Sequence, residues 1–408
     1  MSTTNKAVYL DHAATTPPFG PVIAGISTFM RENFGNPSSL HVFGTNAKQA
    51  LEQSRVKVAA LINAEPEEIT FTSGGTEADN LAIFGVANKI GKGHLITSAV
   101  EHHAVLDTIV HLGKAYPDKF SYTLVPVDQY GVVSAQAVRD VLREDTIFVS
   151  IMHANNEIGT INPIKEIGEV VHAYNPKITF HVDAVQSVGK IPVDVNELGI
   201  DLLTVSSHKI NGPKGAGALY RKKGVTLQRM VYGGGQEKKL RSGTENLPGI
   251  YGFGIAAEIT KEEWQEHANQ LNQMCAHLVE RIIAEIPEVK LNGHPGLHLP
   301  QTVNFSFNYI EGEALLLRLN LRGIACSNGS ACSSGSFEPS HVLLALGLEP
   351  HWSNSSIRFS LGYGNTMEDI DYVVDTLKEQ VASLRSASPN CPKSVAFCDV
   401  CSGCSKDK

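Results

Sequence analysis

The chain has 408 residues, 42% of them hydrophobic, enough for one large core plus a smaller second one and too apolar for a disordered chain. Its 34 basic and 42 acidic residues leave a net charge of −8, and no Lys/Arg block forms the stripe that phosphate backbones select, so no nucleic-acid partner is expected. No apolar run resembles a signal segment or spans a bilayer, and seven cysteines, an odd number, do not make the dense even framework of a small secreted domain; a cytoplasmic protein with no membrane partner is expected.

In chain order, apolar β-rich runs at 68–72, 94–98, 121–127, 146–152, 178–182, 202–206 and 216–220 alternate with helical stretches. Runs that are apolar on both faces and separated by helices predict an α/β unit with a mainly parallel, seven-stranded sheet. After residue 252 the pattern changes to a long amphipathic helix over 259–286, a strand over 301–308, a helix over 313–319 and a final helix over 367–384. That order predicts a smaller α+β unit. Beyond 385 the chain turns to Ser, Pro, Asn, Lys and Cys without periodicity, as a tail does. The expected division is 1–14 joining the small domain, 15–255 as the large domain, 256–385 as the small domain and 386–408 as the tail.

Residues carrying chemistry cluster after the strands. Ser206-Ser207-His208-Lys209 follows a buried run and precedes the glycine-rich Gly212-Pro213-Lys214-Gly215, which is where parallel sheets bind ligands. An amine there is placed to form a Schiff base; the plain alternative is a surface lysine. Asp183 ends the run 178–182, where a carboxylate is costly unless paired, as a protonated pyridine nitrogen would pair it; a helix N-cap is the other reading. Ser73-Gly74-Gly75-Thr76-Glu77 joins a strand to a helix and offers free N–H groups and a dipole to an anion, or a simple capping box. Glu101-His102-His103 belongs to the same strand-end layer, with one imidazole facing inward or both solvated.

Between 323 and 336 every residue is Gly, Ala or Ser except Ile324, Cys326, Asn328 and Cys332. Such a stretch cannot pack a core and suits a mobile loop that carries a nucleophile to a bound substrate, or a spacer whose cysteines are incidental. Cys391, Cys398, Cys401 and Cys404 crowd the tail, and their Cys-x2-Cys steps suit zinc or part of an iron–sulfur cluster. A thiol tail relaying sulfur is a third option.

Together these motifs closely resemble the cysteine desulfurases of the NifS/IscS type, a class V aminotransferase branch of the fold-type I pyridoxal-phosphate enzymes. The resemblance runs from 9 to 384 and rests on Tyr9-Leu10-Asp11-His12-Ala13-Ala14-Thr15-Thr16-Pro17, residues 73–80 and 101–107, Asn155-Asn156-Glu157-Ile158-Gly159, residues 181–190 and 206–209, Arg241-Ser242-Gly243-Thr244, and Gly329-Ser330-Ala331-Cys332-Ser333-Ser334-Gly335. It implies pyridoxal phosphate held covalently on Lys209, His102 stacked on its ring, Asp183 at the pyridine nitrogen, and Asn156 and Gln186 near the 3-oxygen. It implies phosphate contacts from Gly75, Thr76, Ser206 and His208, with Thr244 reaching in from the second subunit of a homodimer. Arg358 would clamp the carboxylate of L-cysteine, and Cys332 would take its sulfur as a persulfide, with His102 the candidate proton acceptor. The products would be alanine and a persulfide for an acceptor such as an iron–sulfur scaffold, with Cys332 also a candidate cluster contact. A selenocysteine lyase could share all of these residues; a related aminotransferase would share Lys209 and Asp183 and have no need of Cys332. The resemblance demands neither Cys326 nor the cysteine tail.

Overall fold

The structure, a computed structural model, describes residues 7–328 and 339–396. Cys332, Cys398, Cys401 and Cys404 lie outside the described residues. Twelve strands are seen among those described: β1 (Val8–Tyr9), β2 (Ile69–Thr72), β3 (Gly93–Ser98), β4 (Phe120–Val125), β5 (Thr146–Ser150), β6 (Thr179–Asp183), β7 (Leu202–Ser206), β8 (Gly217–Arg221), β9 (Val289–Asn292), β10 (Thr302–Phe307), β11 (Ile324–Ala325) and β12 (Ser356–Ser360).

Seven of them form the sheet that the sequence predicts, in the order β2-β8-β7-β6-β5-β3-β4. From β7 through β4 all neighbours are parallel, while β8 lies antiparallel to both β7 and β2. Successive side chains of a strand point to opposite faces. Accordingly Leu95, Phe148, Leu202 and Leu219 enter one core with Ala78, Leu81 and Val105. Their neighbours Ile96, Val149, Leu203 and Tyr220 enter the other, with Val58, Ile167 and Phe253. Helices on both faces explain why these runs read as continuously apolar.

A second, three-stranded antiparallel sheet, β12-β10-β9, lies in a separate core with Leu271, Leu278, Val303, Phe305, Phe359 and Val374. The amino terminus joins this core: β1 pairs in parallel with β11, and Val8 and Leu10 are buried in it. One helix, Leu247–Glu285, bridges the two cores. Leu247, Ile250, Phe253 and Ala257 pack in the large core, whereas Leu271, Met274, Cys275 and Ile282 pack in the small one.

This helix begins well before the expected 259, capped by Asn246, whose side chain accepts from the Gly249 N–H, and with Pro248 in its first turn. Its first turns are buried among apolar neighbours and carry three glycines, so they lack the polar stripe that marks a surface helix. The last long helix, Met367–Ala387, runs past the expected 384. Its Arg385 is buried and donates to the carbonyls of Asn308, Pro287 and Glu288, which anchors the final turn. No described helix is long and apolar enough to cross a membrane.

Candidate active site

The carboxyl ends of β3, β6 and β7 deliver Glu101-His102, Asp183 and Ser206 to one edge of the sheet. Lys209 ends the single 3-10 turn Ser207–Lys209 that follows β7. Its Nζ donates to the carbonyl of Ala14 at 2.9 Å and to that of Ala13. The segment over it is pinned on both sides: the Tyr9 hydroxyl donates to the carbonyls of Asp11 and Thr15, and Thr16 bonds the carbonyl of His208 through both N–H and hydroxyl. Gln186 donates to the same Ala13 carbonyl at 2.9 Å.

Asp183 is buried and accepts from the Val185 N–H at 2.9 Å, so it does cap its own turn, as one sequence reading has it. Burial pushes its carboxyl up to about 6, against that N–H bond and the positive charge of Lys209. Beneath it lies Asp79, 1% exposed, hydrogen-bonded by the Thr204 hydroxyl, with Oδ1 3.6 Å from His181 Nε2. Burial first and Asp183 second hold Asp79 well above the usual carboxylate range. Burial also raises Glu101 to about 8; its Oε1 accepts from the Ser98 hydroxyl and the Met152 N–H. His102 caps the helix His103–Ala115, its Nδ1 accepting from the Ala104 N–H at 3.1 Å. Burial first and Lys209 second bring its pKa down to about 4, so a neutral, flat ring borders the site at neutral pH.

Gly75 begins the helix Gly75–Ile90, facing the end of β7. A Cβ at Gly75 would lie 3.0 Å from Val185 Cγ2 and 3.7 Å from Ser206 Cβ, so its absence leaves the space a phosphate needs. Ser206 is 2% exposed, and its Oγ has no hydrogen-bond partner. An orphaned buried hydroxyl beside a helix N-terminus fits an absent phosphate. His208 meets the Thr15 hydroxyl at 3.2 Å, while Thr76 is exposed. Thr244 is also exposed, three residues beyond Arg241, whose guanidinium pairs with Glu77 at 2.8 Å.

Arg358 lies on β12, 3% exposed. It donates to Asp11 Oδ1 at 2.6 Å and to the carbonyl of Asn156 at 2.9 Å, leaving a buried Nε without a partner. The backbone, not the side chain, of Asn156 therefore supports the arginine.

Cys326 does not sit on a free loop. It follows β11, packs against the small core, and burial pushes its thiol up to about 12, with Asp11 adding to the effect. Cys391 lies near the carboxyl end of the described chain, and no group of three or more His, Cys, Asp or Glu side chains among the described residues is arranged to hold a metal. Sequence reasoning gave no role to the Asp11–Ala14 segment, Asp79 or Lys190, all of which the fold brings to this edge. All three lay inside quoted motifs, so the signal was present but unread.

Pyridoxal phosphate fits these residues: a lysine amine at the sheet edge, a buried carboxylate, an orphaned hydroxyl at a helix N-terminus and a flat neutral ring. The chain matches the aminotransferase class-V family over residues 8–373. It is 50% identical over 396 residues to a cysteine desulfurase IscS of Methanosarcina thermophila, with 96% of each chain covered. Among solved structures, a NifS-like protein superposes with a TM-score of 0.87 at 38% identity, covering 93% of this chain and 100% of its own. SspA in complex with cysteine gives 0.76 at 37% identity, covering 87% and 98%.

Proposed function

The chain belongs to the aminotransferase class-V family, as one of its cysteine desulfurases, and from that premise we propose how its residues divide the work. It is a pyridoxal-phosphate enzyme that converts L-cysteine and an enzyme thiol to L-alanine and an enzyme persulfide. The observation that carries this reading is Lys209, held by two backbone carbonyls between a buried Asp183 and an unpartnered Ser206 hydroxyl.

Lys209 would carry the cofactor, Asp183 hold its ring nitrogen, and His102 cover its face. Asn156 and Gln186 would flank the 3-oxygen, with Gly75, Thr76, Ser206 and His208 at the phosphate. Bound there, pyridoxal phosphate supplies an electron sink for the carbanion formed at the substrate Cα. Arg358 holds the substrate carboxylate with a rigid fork. Once released by substrate, the Lys209 amine takes the Cα proton. Cys332, as thiolate, attacks the substrate sulfur; the S–S bond forms as the C–S bond breaks, and a neutral His102 is suited to accept the thiol proton.

A homodimer with Thr244 supplied across the interface is part of the proposal. Its support is an apolar surface, with Ile23, Met30, Phe34, Leu40 and Val42 all exposed on two successive helices and their linker. We divide the chain as the sequence suggests, at 15–255 and 256–385 with 1–14 joining the second unit, on the strength of its separate cores. The sulfur goes to an acceptor such as an iron–sulfur scaffold, in a reducing cytoplasm. The tail thiols Cys391, Cys398, Cys401 and Cys404 would bind zinc or iron, or accept sulfur, as an accessory to this reaction. Truncation after Asn390 removes them and keeps Arg385; unchanged zinc and iron content would leave sulfur relay or an inert tail as the surviving readings.

Lys209→Ala is expected to stay folded, lose the visible absorbance of bound cofactor and release no alanine. Retention of both signals would sink the assignment.

A further inference from the structure

The loop that starts at Asp183 and passes Gln186 ends at Lys190. Gly189 turns it with φ +74, and a Cβ there would stand 2.3 Å from Thr260 Cγ2, so the loop lies directly against the long helix. Lys190 is thereby directed inward. Its Nζ donates to the carbonyl of Lys209 at 2.9 Å, while the Lys209 amine binds the carbonyls of Ala13 and Ala14. The turn bearing Lys209 is thus held from beneath by Lys190 and from above by the amino-terminal segment.

We propose that Lys190 is a positioning residue for the reaction: it fixes the backbone of Lys209 and, through its own charge, favours the uncharged form of the Lys209 nitrogen. This inference rests on Lys209 being the cofactor-bearing residue.

Lys190 acts on titratable groups of three elements, while the carboxylate of Asp183, at the start of its own loop, faces Lys209. His12 of the amino-terminal segment, His208 of the Lys209 turn and His267 of the long helix all feel its charge, and Lys214 acts on the same His208. His267 is stacked on Tyr363 with ring centroids 3.6 Å apart, and His12 Nδ1 is buried without a partner. Burial first and Lys209 second lower Lys190 to about 7. The coupling is reciprocal, so each positive charge makes the other amine easier to deprotonate. An uncharged nitrogen is what a proton-abstracting lysine needs.

The test is the pH titration of the holoenzyme's visible absorbance, which follows protonation at the Lys209 nitrogen. Lys190→Met should move the midpoint up by about one pH unit, as expected when a nearby like charge is removed. Lys190→Arg, which restores the charge, should bring it back toward wild type. Lys190→Gln keeps a donor for the Lys209 carbonyl but no charge; it should shift the midpoint as Met does, and it serves if the Met variant does not fold. A wild-type midpoint in the uncharged variants, whatever their stability or turnover, makes Lys190 a structural strut and overturns the proposal. Borohydride reduction and peptide mapping keep the premise separate: cofactor found on another lysine refutes the role of Lys209, whereas cofactor on Lys209 with an unmoved midpoint refutes only that of Lys190.

Discussion

Replacing Arg358 by Lys separates charge from geometry at the substrate clamp. The guanidinium bonds Asp11 Oδ1 at 2.6 Å and the Asn156 carbonyl at 2.9 Å and leaves Nε unpartnered. It is held from the backbone side as well, because Arg358 and Ser327 exchange N–H···O bonds across an isolated bridge. A lysine keeps a positive charge facing Asp11 but offers a single ammonium in place of a planar fork. Losing one of two charge-assisted bonds to the substrate carboxylate costs about 1.5–3 kcal/mol, or roughly 10- to 100-fold in kcat/KM. The clamp grips substrate and transition state alike, so the loss should appear as a raised KM for L-cysteine with kcat changed little. Arg358→Ala is a different experiment: it strands Asp11 and breaks a buried pair, for which about 3–5 kcal/mol of stability is the usual loss. The assay is alanine release against cysteine concentration, with thermal unfolding and cofactor absorbance as controls. An unchanged KM in Arg358→Lys, or a fall in kcat alone, refutes the clamp.

Other consequences follow from the same geometry. Ser206→Ala should weaken pyridoxal-phosphate binding at least tenfold, measured by equilibrium dialysis, while leaving the cofactor-free protein no less stable, since the hydroxyl has no partner there; equal affinity would remove Ser206 from the phosphate site. Glu237 binds Arg55 through both oxygens at 2.8 Å and accepts from the Phe71 N–H, so Glu237→Ala should cost about 3–5 kcal/mol in denaturant unfolding; a loss under 1 kcal/mol would contradict it. Burial holds His153 down to about 4, so the folded protein binds fewer protons there than the unfolded chain between pH 6.5 and 4, and stability falls as pH drops through that window. His153→Gln should lower the slope of stability against pH there by about one proton, and an unaltered slope would mean that the native imidazole is already charged. Cys326→Ser should keep near-normal desulfuration, and iodoacetamide should spare Cys326 in the native protein, because its thiol is pushed up to about 12; rapid labelling would mean that the thiol is accessible and ionised.

The sequence was most legible where chemistry and local structure coincide. All seven strands of the large sheet announced themselves as short runs, six of them because burial on both faces leaves little polar alternation, whereas the edge strand β4 is half-buried and carries Ser121 and Thr123 between its apolar residues. Asp183, Ser206, Lys209 and His102 were singled out because each closes or follows such a run, and the fold brings them to one edge of the sheet. What stayed hidden depends on long-range closure. The Ala13 and Ala14 carbonyls meet Lys209 across nearly half of the chain, and Asp11 meets Arg358 across most of it, and no local pattern marks a backbone carbonyl as a lysine's partner. Cys326 read as part of a flexible loop because β11 is two residues long, and only long-range pairing, of β11 with β1 and of Ser327 with Arg358, orders it. The long helix was entered late because its first turns are buried among apolar neighbours.

The central claim is that sulfur leaves L-cysteine for Cys332 on an enzyme whose cofactor sits on Lys209. Its most direct test is mass spectrometry of the Cys332 peptide after one turnover with L-cysteine and no acceptor, with alanine counted in the same sample. The account predicts one added sulfur atom on Cys332 for each alanine released, and neither product from Lys209→Ala. Alanine formed without sulfur on Cys332, or formed undiminished by Cys332→Ser, would contradict it.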